Sequence, residues 1–360
     1  MRILLCMGTR PEVIKMLPLY IELKKNRDVQ TQICFSNQHS RMAKEVFEFF
    51  KIKPDFSFYS TKTSRSLNKM TCEFLNYFDI IIEKEKPDIV LVHGDTVTAF
   101  CASLAAYYNG VRVGHVESGL RTFDMLEPFP EEFYRVSIDA MSSYCFAPTE
   151  NAAQNLVKEG RKSVFTTGNT VIDSFKYTLD SEYSSPLLEG VKGRKIALLT
   201  SHRRENIGER MKGAFMGVRD ILEEREDVYC IFPMHPNPKV GRVAEKVFEN
   251  VKNIKICDPL PLYDFHNILS RSFAVLTDSG GIQEEAAYLG IPVFLLRDKT
   301  ERPEGERSGN IRLIGTDRER VKNEFLSVVN DLEKLKPMQK PSDAFGDGKA
   351  SERIAQILLR

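Results

Sequence analysis

Short apolar runs recur along the chain, each closed by a polar or glycine turn and followed by a longer stretch with helical spacing. In the first half the runs are Ile3 to Met7, Ile89 to His93, Val111 to Val116 and Tyr144 to Ala147. Helical stretches lie between them, among them Val13 to Lys25, with Pro11 just ahead, and the alanine-rich Thr98 to Tyr108. After Gly168 the rhythm restarts, with runs at Lys195 to Thr200, Val228 to Pro233, Ile254 to Cys257, Ala274 to Thr277 and Val293 to Leu296. Runs that are apolar throughout predict strands buried on both faces, and their alternation with helices predicts parallel sheets of the α/β class. Ligands of such sheets sit beyond the carboxyl ends of the strands.

The rhythm sets the domain boundaries. Residues 1–170 form one expected domain and 171–349 a second, with the amphipathic stretch from Ala350 to Arg360 expected to pack back onto the first. The polar segment from Tyr183 to Arg194, with Pro186, Gly190 and Gly193, is expected to be a surface loop. A length of 360 residues agrees with two cores.

Composition narrows the partners. The 51 basic and 50 acidic residues cancel to a net charge of +1, which gives no global attraction to nucleic acid or to a membrane surface. No run approaches the roughly 18 apolar residues of a membrane span, and the first residues lack the pattern of a secretory leader. The seven cysteines form no CxxC pair and fall mostly in apolar runs, as buried thiols of a reducing compartment would. A cytoplasmic location is expected, with neither a metal nor a disulfide framework, and any anionic ligand must be met by local basic groups.

Several polar clusters follow strand ends. Gly8, Thr9, Arg10, Pro11 and Glu12 stand between the first strand and its helix, with Lys15 one turn further on. Free amides at a helix start favour an anion, and Arg10 and Lys15 would add charge; an ordinary helix start with solvated basic residues is the alternative. The Walker pattern GxxxxGK[ST] is absent. Asp95 closes His93–Gly94–Asp95 and Glu117 closes His115–Val116–Glu117, while Glu131 and Glu132 follow Pro128–Phe129–Pro130 ahead of Arg135. Converging carboxylates raise one another's pKa and suit proton transfer near neutrality, although a lone acid is more often a cap or a surface charge. In the second half His202 lies in Thr200 to Glu205, and His235 follows another strand; neither these nor His39, His93, His115 and His266 have metal spacing.

The most informative stretch is Thr277 to Ala286. A strand ends, Gly280 and Gly281 allow close backbone approach, and a helix begins with free amides, an arrangement that binds phosphate; Glu285 stands where a carboxylate would meet ribose hydroxyls. Arg302 follows the next strand and would reach the same ligand.

Read in order, GTRPE with IKM, HGDT, GHVESGLRT, PFPEE, GNTVID, SHRREN, DSGGIQEEA and RDKTERPE resemble the non-hydrolysing UDP-N-acetylglucosamine 2-epimerases over nearly the whole chain. The resemblance implies two Rossmann-like domains with a deep interdomain cleft, the glycosyltransferase-B type. It implies that Arg10, Lys15, Ser279, Gly280, Gly281, Glu285 and Arg302 hold UDP, with Phe265 near the uracil and the Leu260 backbone contacting it. Asp95, Glu117, Glu131 and His202 would form the catalytic set. The implied reaction is C2 epimerisation of UDP-N-acetylglucosamine through loss and re-addition of UDP, needing no cofactor and no metal, in a homodimer. Some members carry a second, activating substrate site, and Gln38, His39, Arg65, Arg203 and His235 stand near its positions. Here the chain departs from the family: Ser66 replaces a common glutamine, and Gly305 to Arg312 reads GERSGNIR. The alternatives are a glycosyltransferase of the same fold, a nucleotide-sugar sensor or carrier without turnover, the hydrolysing branch of the epimerases, and an epimerase of a related UDP-N-acetylamino sugar.

Overall fold

The computed structural model describes residues 1–37, 40–58, 66–203, 206–300 and 302–360, and divides them into two compact units. The first comprises Met1–Lys176 with Phe345–Arg360, and the second Tyr177–Ala344.

The first unit is built on seven strands: β1 (Arg2–Met7), β2 (Gln30–Phe35), β3 (Phe56–Ser57), β4 (Ile89–His93), β5 (Arg112–Val116), β6 (Tyr144–Ala147) and β7 (Val164–Thr166). All pair in parallel, in the order β3-β2-β1-β4-β5-β6-β7. The order reverses between β1 and β4, and the crevice for a ligand opens at such a reversal. β4 is buried from end to end, which its uninterrupted apolar run requires. The core on one face of the sheet joins Leu4, Val90 and Val92 to Phe74, Phe78 and Ile82 of the helix Leu67–Glu85 and to the small residues Ala99, Ala102 and Ala106 of the helix Val97–Tyr108. The alanines let that helix lie close to its neighbour.

The second unit repeats the plan with β8 (Lys195–Thr200), β9 (Val228–Pro233), β10 (Ile254–Cys257), β11 (Ala274–Thr277), β12 (Val293–Leu295) and β13 (Ile311–Leu313), again all parallel and ordered β10-β9-β8-β11-β12-β13. Its reversal point lies between β8 and β11. There the paired Thr200 and Thr277 share a 2.6 Å hydroxyl hydrogen bond at the carboxyl ends of their strands. Two successive Rossmann-like units bear out the α/β class and the glycosyltransferase-B type.

The apolar runs marked every strand named from the sequence to within a residue or so, but β2, β3, β7 and β13 were not among them. β2 is the instructive case: it alternates Gln30, Thr31, Gln32 before turning apolar, so no continuous run announces it. The segment 183–194 departs from a plain surface loop. Ser185 caps a helical turn Pro186–Glu189, and Tyr183 is buried, its ring edge-on to Tyr263 and its hydroxyl donating to Asp264. The closing helix Ala350–Leu358 packs on the helix Arg10–Lys24, with its first amides donated to the buried carboxylate of Asp173. Among the described residues no helix is long and apolar enough to cross a membrane.

Candidate active site

In the first unit the site residues stand at the carboxyl ends of β1, β4 and β5. The helix after β1 begins at Arg10, three residues earlier than its apolar spacing indicates, because Pro11 sits in its first turn and Thr9 caps it. Glu12 closes a capping box: its Oε2 accepts from the amides of Gly8 (3.1 Å) and Thr9 (2.7 Å), and its Oε1 from the Thr96 hydroxyl (2.7 Å). Thr96 is the N-cap of the helix after β4, so one buried carboxylate ties the starts of two helices together. Burial raises that carboxyl to about 7, against the hydrogen bonds from Thr9, Thr96 and Gly8 that favour its ionised form.

Glu117 follows β5 with φ +66°, a conformation a non-glycine residue rarely adopts. Its carboxylate is bonded to the Lys15 ammonium and accepts from Asn169 Nδ2 at 2.6 Å, with His93 Nε2 at 3.5 Å. Burial lowers the His93 pKa, and the neighbouring Glu117 only partly restores it, so His93 is a neutral imidazole at pH 7. Asp95 Oδ2 lies 2.6 Å from Arg135 Nη2. Glu131 opens the helix Glu131–Met141 and shares a face with Arg135 one turn later; its buried Oε2 has no hydrogen-bond partner among the described residues. Glu132 is occupied elsewhere, accepting from the amides of Thr122 and Phe123 at 2.9 Å each.

Asp95 and Glu117 each meet a cation, Arg135 and Lys15 respectively. Arg10 is the half-buried first residue of the helix that carries Lys15.

In the second unit Asp278, fully buried at the end of β11, organises the loop after β8. It accepts from Ser201 Oγ (2.7 Å), the amides of His202 (3.0 Å) and Arg203 (3.1 Å), and Asn206 Nδ2 (3.1 Å). His202 is left half-exposed, its Nδ1 3.5 Å from Asp278 Oδ1 and its ring stacked on that of His235. The helix Gly280–Tyr288 starts at Ser279, whose side chain does not cap it, so the Ser279 hydroxyl does not occupy its first-turn amides. The two glycines serve different ends. A Cβ on Gly280 would meet the Arg302 guanidinium at 2.5 Å, whereas one on Gly281 would meet nothing within 4 Å. Gly280 therefore makes room for Arg302, which Glu284 holds at 2.6 Å, and the space beside Gly281 is open. Glu285 faces His266 Nε2 at 3.5 Å, and His266 Nδ1 is 2.7 Å from Thr178 Oγ1. Leu260 is buried ahead of the helix Leu262–Ser270, on which Phe265 is partly exposed.

Of the five residues set aside for a second substrate site, Gln38, His39 and Arg65 lie outside the described residues, while Arg203 and His235 stand beside His202. Glu12, Asn169, Asp278 and Glu284 were not singled out. Glu12 could have been found, since Thr9 and Glu12 make the T-x-x-E capping spacing. No group of residues fit to hold a metal ion occurs among the described residues.

The family model described as UDP-N-acetylglucosamine 2-epimerase matches residues 21–359. The chain belongs to that family. A Bacillus subtilis UDP-N-acetylglucosamine 2-epimerase is 45% identical over 361 residues, covering 100% of this chain and 95% of that protein. Among solved structures, the Neisseria meningitidis UDP-GlcNAc 2-epimerase bound to UDP-GlcNAc superposes with a TM-score of 0.94 at 36% identity and full coverage of both chains. The S. aureus MnaA–UDP co-structure superposes with a TM-score of 0.93 at 42% identity, covering 99% of this chain and 95% of that one. Membership places the chain among isomerases, and the epimerase motifs from HGDT to RDKTERPE all lie within the matched span.

Proposed function

We propose that this epimerase interconverts UDP-N-acetylglucosamine and UDP-N-acetylmannosamine. The C2 proton of the sugar is not next to a carbonyl, so simple deprotonation is unfavourable. The route instead breaks the anomeric C–O bond: a carboxylate takes the C2 proton, the C–H electrons form the C1–C2 double bond, and UDP leaves with the anomeric bonding pair. The intermediate is 2-acetamidoglucal. A proton then returns to the opposite face of C2 as UDP re-adds at C1. Asp95, Glu117 and Glu131 manage protons and the developing positive charge, and His202 lies near the departing phosphate. Free amides at Gly280 and Gly281, with Arg302, bind the diphosphate, Arg10 adds charge, and Glu285 accepts from the ribose. Phe265 and the Leu260 backbone receive the uracil.

The observation that carries this reading is Glu117, held in a left-handed conformation among Lys15, Asn169 and His93 beside the Asp95 turn. Transfer to an external acceptor does not require such acid–base machinery, which disfavours a glycosyltransferase. Incubation with UDP-N-acetylglucosamine in D₂O, followed by NMR, is the test. Deuterium at C2 with UDP-N-acetylmannosamine appearing is the expected result; no exchange and no second epimer would overturn it, and exchange only with a related UDP-N-acetylamino sugar would reassign the substrate. The product would supply N-acetylmannosamine-type sugars for surface polysaccharide synthesis in the cytoplasm, where a disruption strain should lose that sugar from its surface. Phe123, Met125, Leu126, Phe129 and Phe133 are exposed on one short stretch and support a homodimer; Leu126→Asp should shift sedimentation toward the monomer, and an unchanged profile would count against this surface.

A further inference from the structure

A charged chain buried beneath the first unit's site is used by none of the steps above. His115, on β5, is fully buried. Its Nδ1 faces Asp139 Oδ1 at 2.6 Å and its Nε2 faces the Gly94 carbonyl at 2.8 Å. Asp139 Oδ2 meets Arg121 Nη2 at 2.8 Å and the Gly119 amide at 3.2 Å. Arg121 continues to Glu159 with two 2.7 Å bonds. Burial by itself would raise Asp139, yet His115 and Arg121 more than offset it and hold the carboxyl below its ordinary range. Each His115 nitrogen thus faces an oxygen, one of a carboxylate and one of a carbonyl.

Two members of this chain, His115 and Asp139, each grip one turn of the site. Gly94, with φ +64°, is clamped through its carbonyl by His115 and through its amide by Val116 O at 3.0 Å, and Asp95 is the next residue. Gly119, with φ +83°, is clamped through its amide by Asp139 and through its carbonyl by Asn155 at 3.0 Å, two residues after Glu117. The two turns are close: a Cβ on Gly94 would lie 3.8 Å from Glu117 Oε1.

We infer that His115, with Asp139 and Arg121, is a positioning unit that sets the Asp95 turn and the Glu117 turn relative to each other without touching substrate. The inference rests on the carboxylate roles proposed above. Placing reacting groups to within an ångström is worth about 100-fold in rate, so His115→Phe, which fills the volume and makes neither bond, should lower kcat by about that factor. Neither clamped turn holds a residue assigned to the nucleotide, so KM and UDP affinity should stay within about twofold. Asp139→Asn, isosteric with the carboxylate, leaves His115 able to reach the Gly94 carbonyl, and should lose only about tenfold.

The test is steady-state kinetics and UDP calorimetry on both variants, with amide hydrogen exchange over residues 93–98 and 117–122. Faster exchange in these two segments alone, with the kcat loss and an unchanged KM, is the expected result. Unchanged exchange overturns the inference whatever the activity, and so does faster exchange with kcat within about threefold of wild type. If wild type itself turns nothing over while exchange still rises in the variant, the epimerase reading fails and the clamp on the two turns stands. Should His115→Phe not fold cooperatively, Asp139→Asn carries the same two readouts.

Discussion

Adjacent glycines with opposite duties allow the nucleotide grip to be dissected with two methyl groups. In Gly280→Ala the added Cβ would lie 2.5 Å from Nη1, 2.8 Å from Cζ and 3.1 Å from Nη2 of Arg302. A solvent-exposed arginine would swing aside at little cost. This one is buried, and its Nε is pinned to the equally buried Glu284 at 2.6 Å. Forcing a methyl into such packing costs about 1–3 kcal/mol, and pushing the guanidinium off Glu284 approaches the roughly 3–5 kcal/mol of breaking a buried pair. The stiffer unfolded chain returns about 0.5–1 kcal/mol, so a net loss of about 2–3 kcal/mol is expected. Gly281→Ala meets no atom within 4 Å and should leave stability unchanged or slightly raised. The same methyl stands where a phosphate would approach the helix amides, and UDP affinity should fall about tenfold, or 1.4 kcal/mol. The chain has no tryptophan, so urea unfolding is best followed by far-ultraviolet circular dichroism, with UDP affinity from calorimetry. A Gly280→Ala protein within about 0.5 kcal/mol of wild type, or a Gly281→Ala protein that binds UDP normally, would refute the division of labour.

Two further outcomes follow from the first unit. Burial raises Glu12 from 4.5 to about 7, so the fold prefers its protonated form; the stability this provides is complete below about pH 4.5 and is lost as pH rises through about 7. Denaturation at a series of pH values should therefore show wild type losing stability relative to Glu12→Gln across that window, and a difference that stays flat with pH would contradict it. Lys15→Met strands the Glu117 carboxylate and should destabilise by about 3 kcal/mol, whereas Lys15→Met with Glu117→Gln should recover at least about 1 kcal/mol of the summed single losses; strict additivity in that double-mutant cycle would mean the pair is not coupled.

Much of this molecule is written along the chain, because the features concerned are local. Apolar runs marked β1, β4, β5, β6 and β8 to β12, all interior strands but β10, since a strand buried on both faces leaves no polar position to hide it. The start of the helix at Gly280 was legible for the same reason, as it is decided within a few residues. The edge strands β3, β7 and β13, and the half-polar β2, were not, because their burial comes from neighbours remote in sequence. The site divides along the same line. Residue types at strand ends named Asp95, Glu117, Glu131 and His202, but what each one touches depends on which strands lie side by side. Only the tertiary structure gave Lys15 to Glu117 across 102 positions, Asp278 to the loop at His202 across 76, and Arg302 to the space that Gly280 leaves open. A carboxylate's charge and position are fixed by the cations and amides that folding brings within 3 Å, and nothing in the spacing of residues along the chain carries that distance.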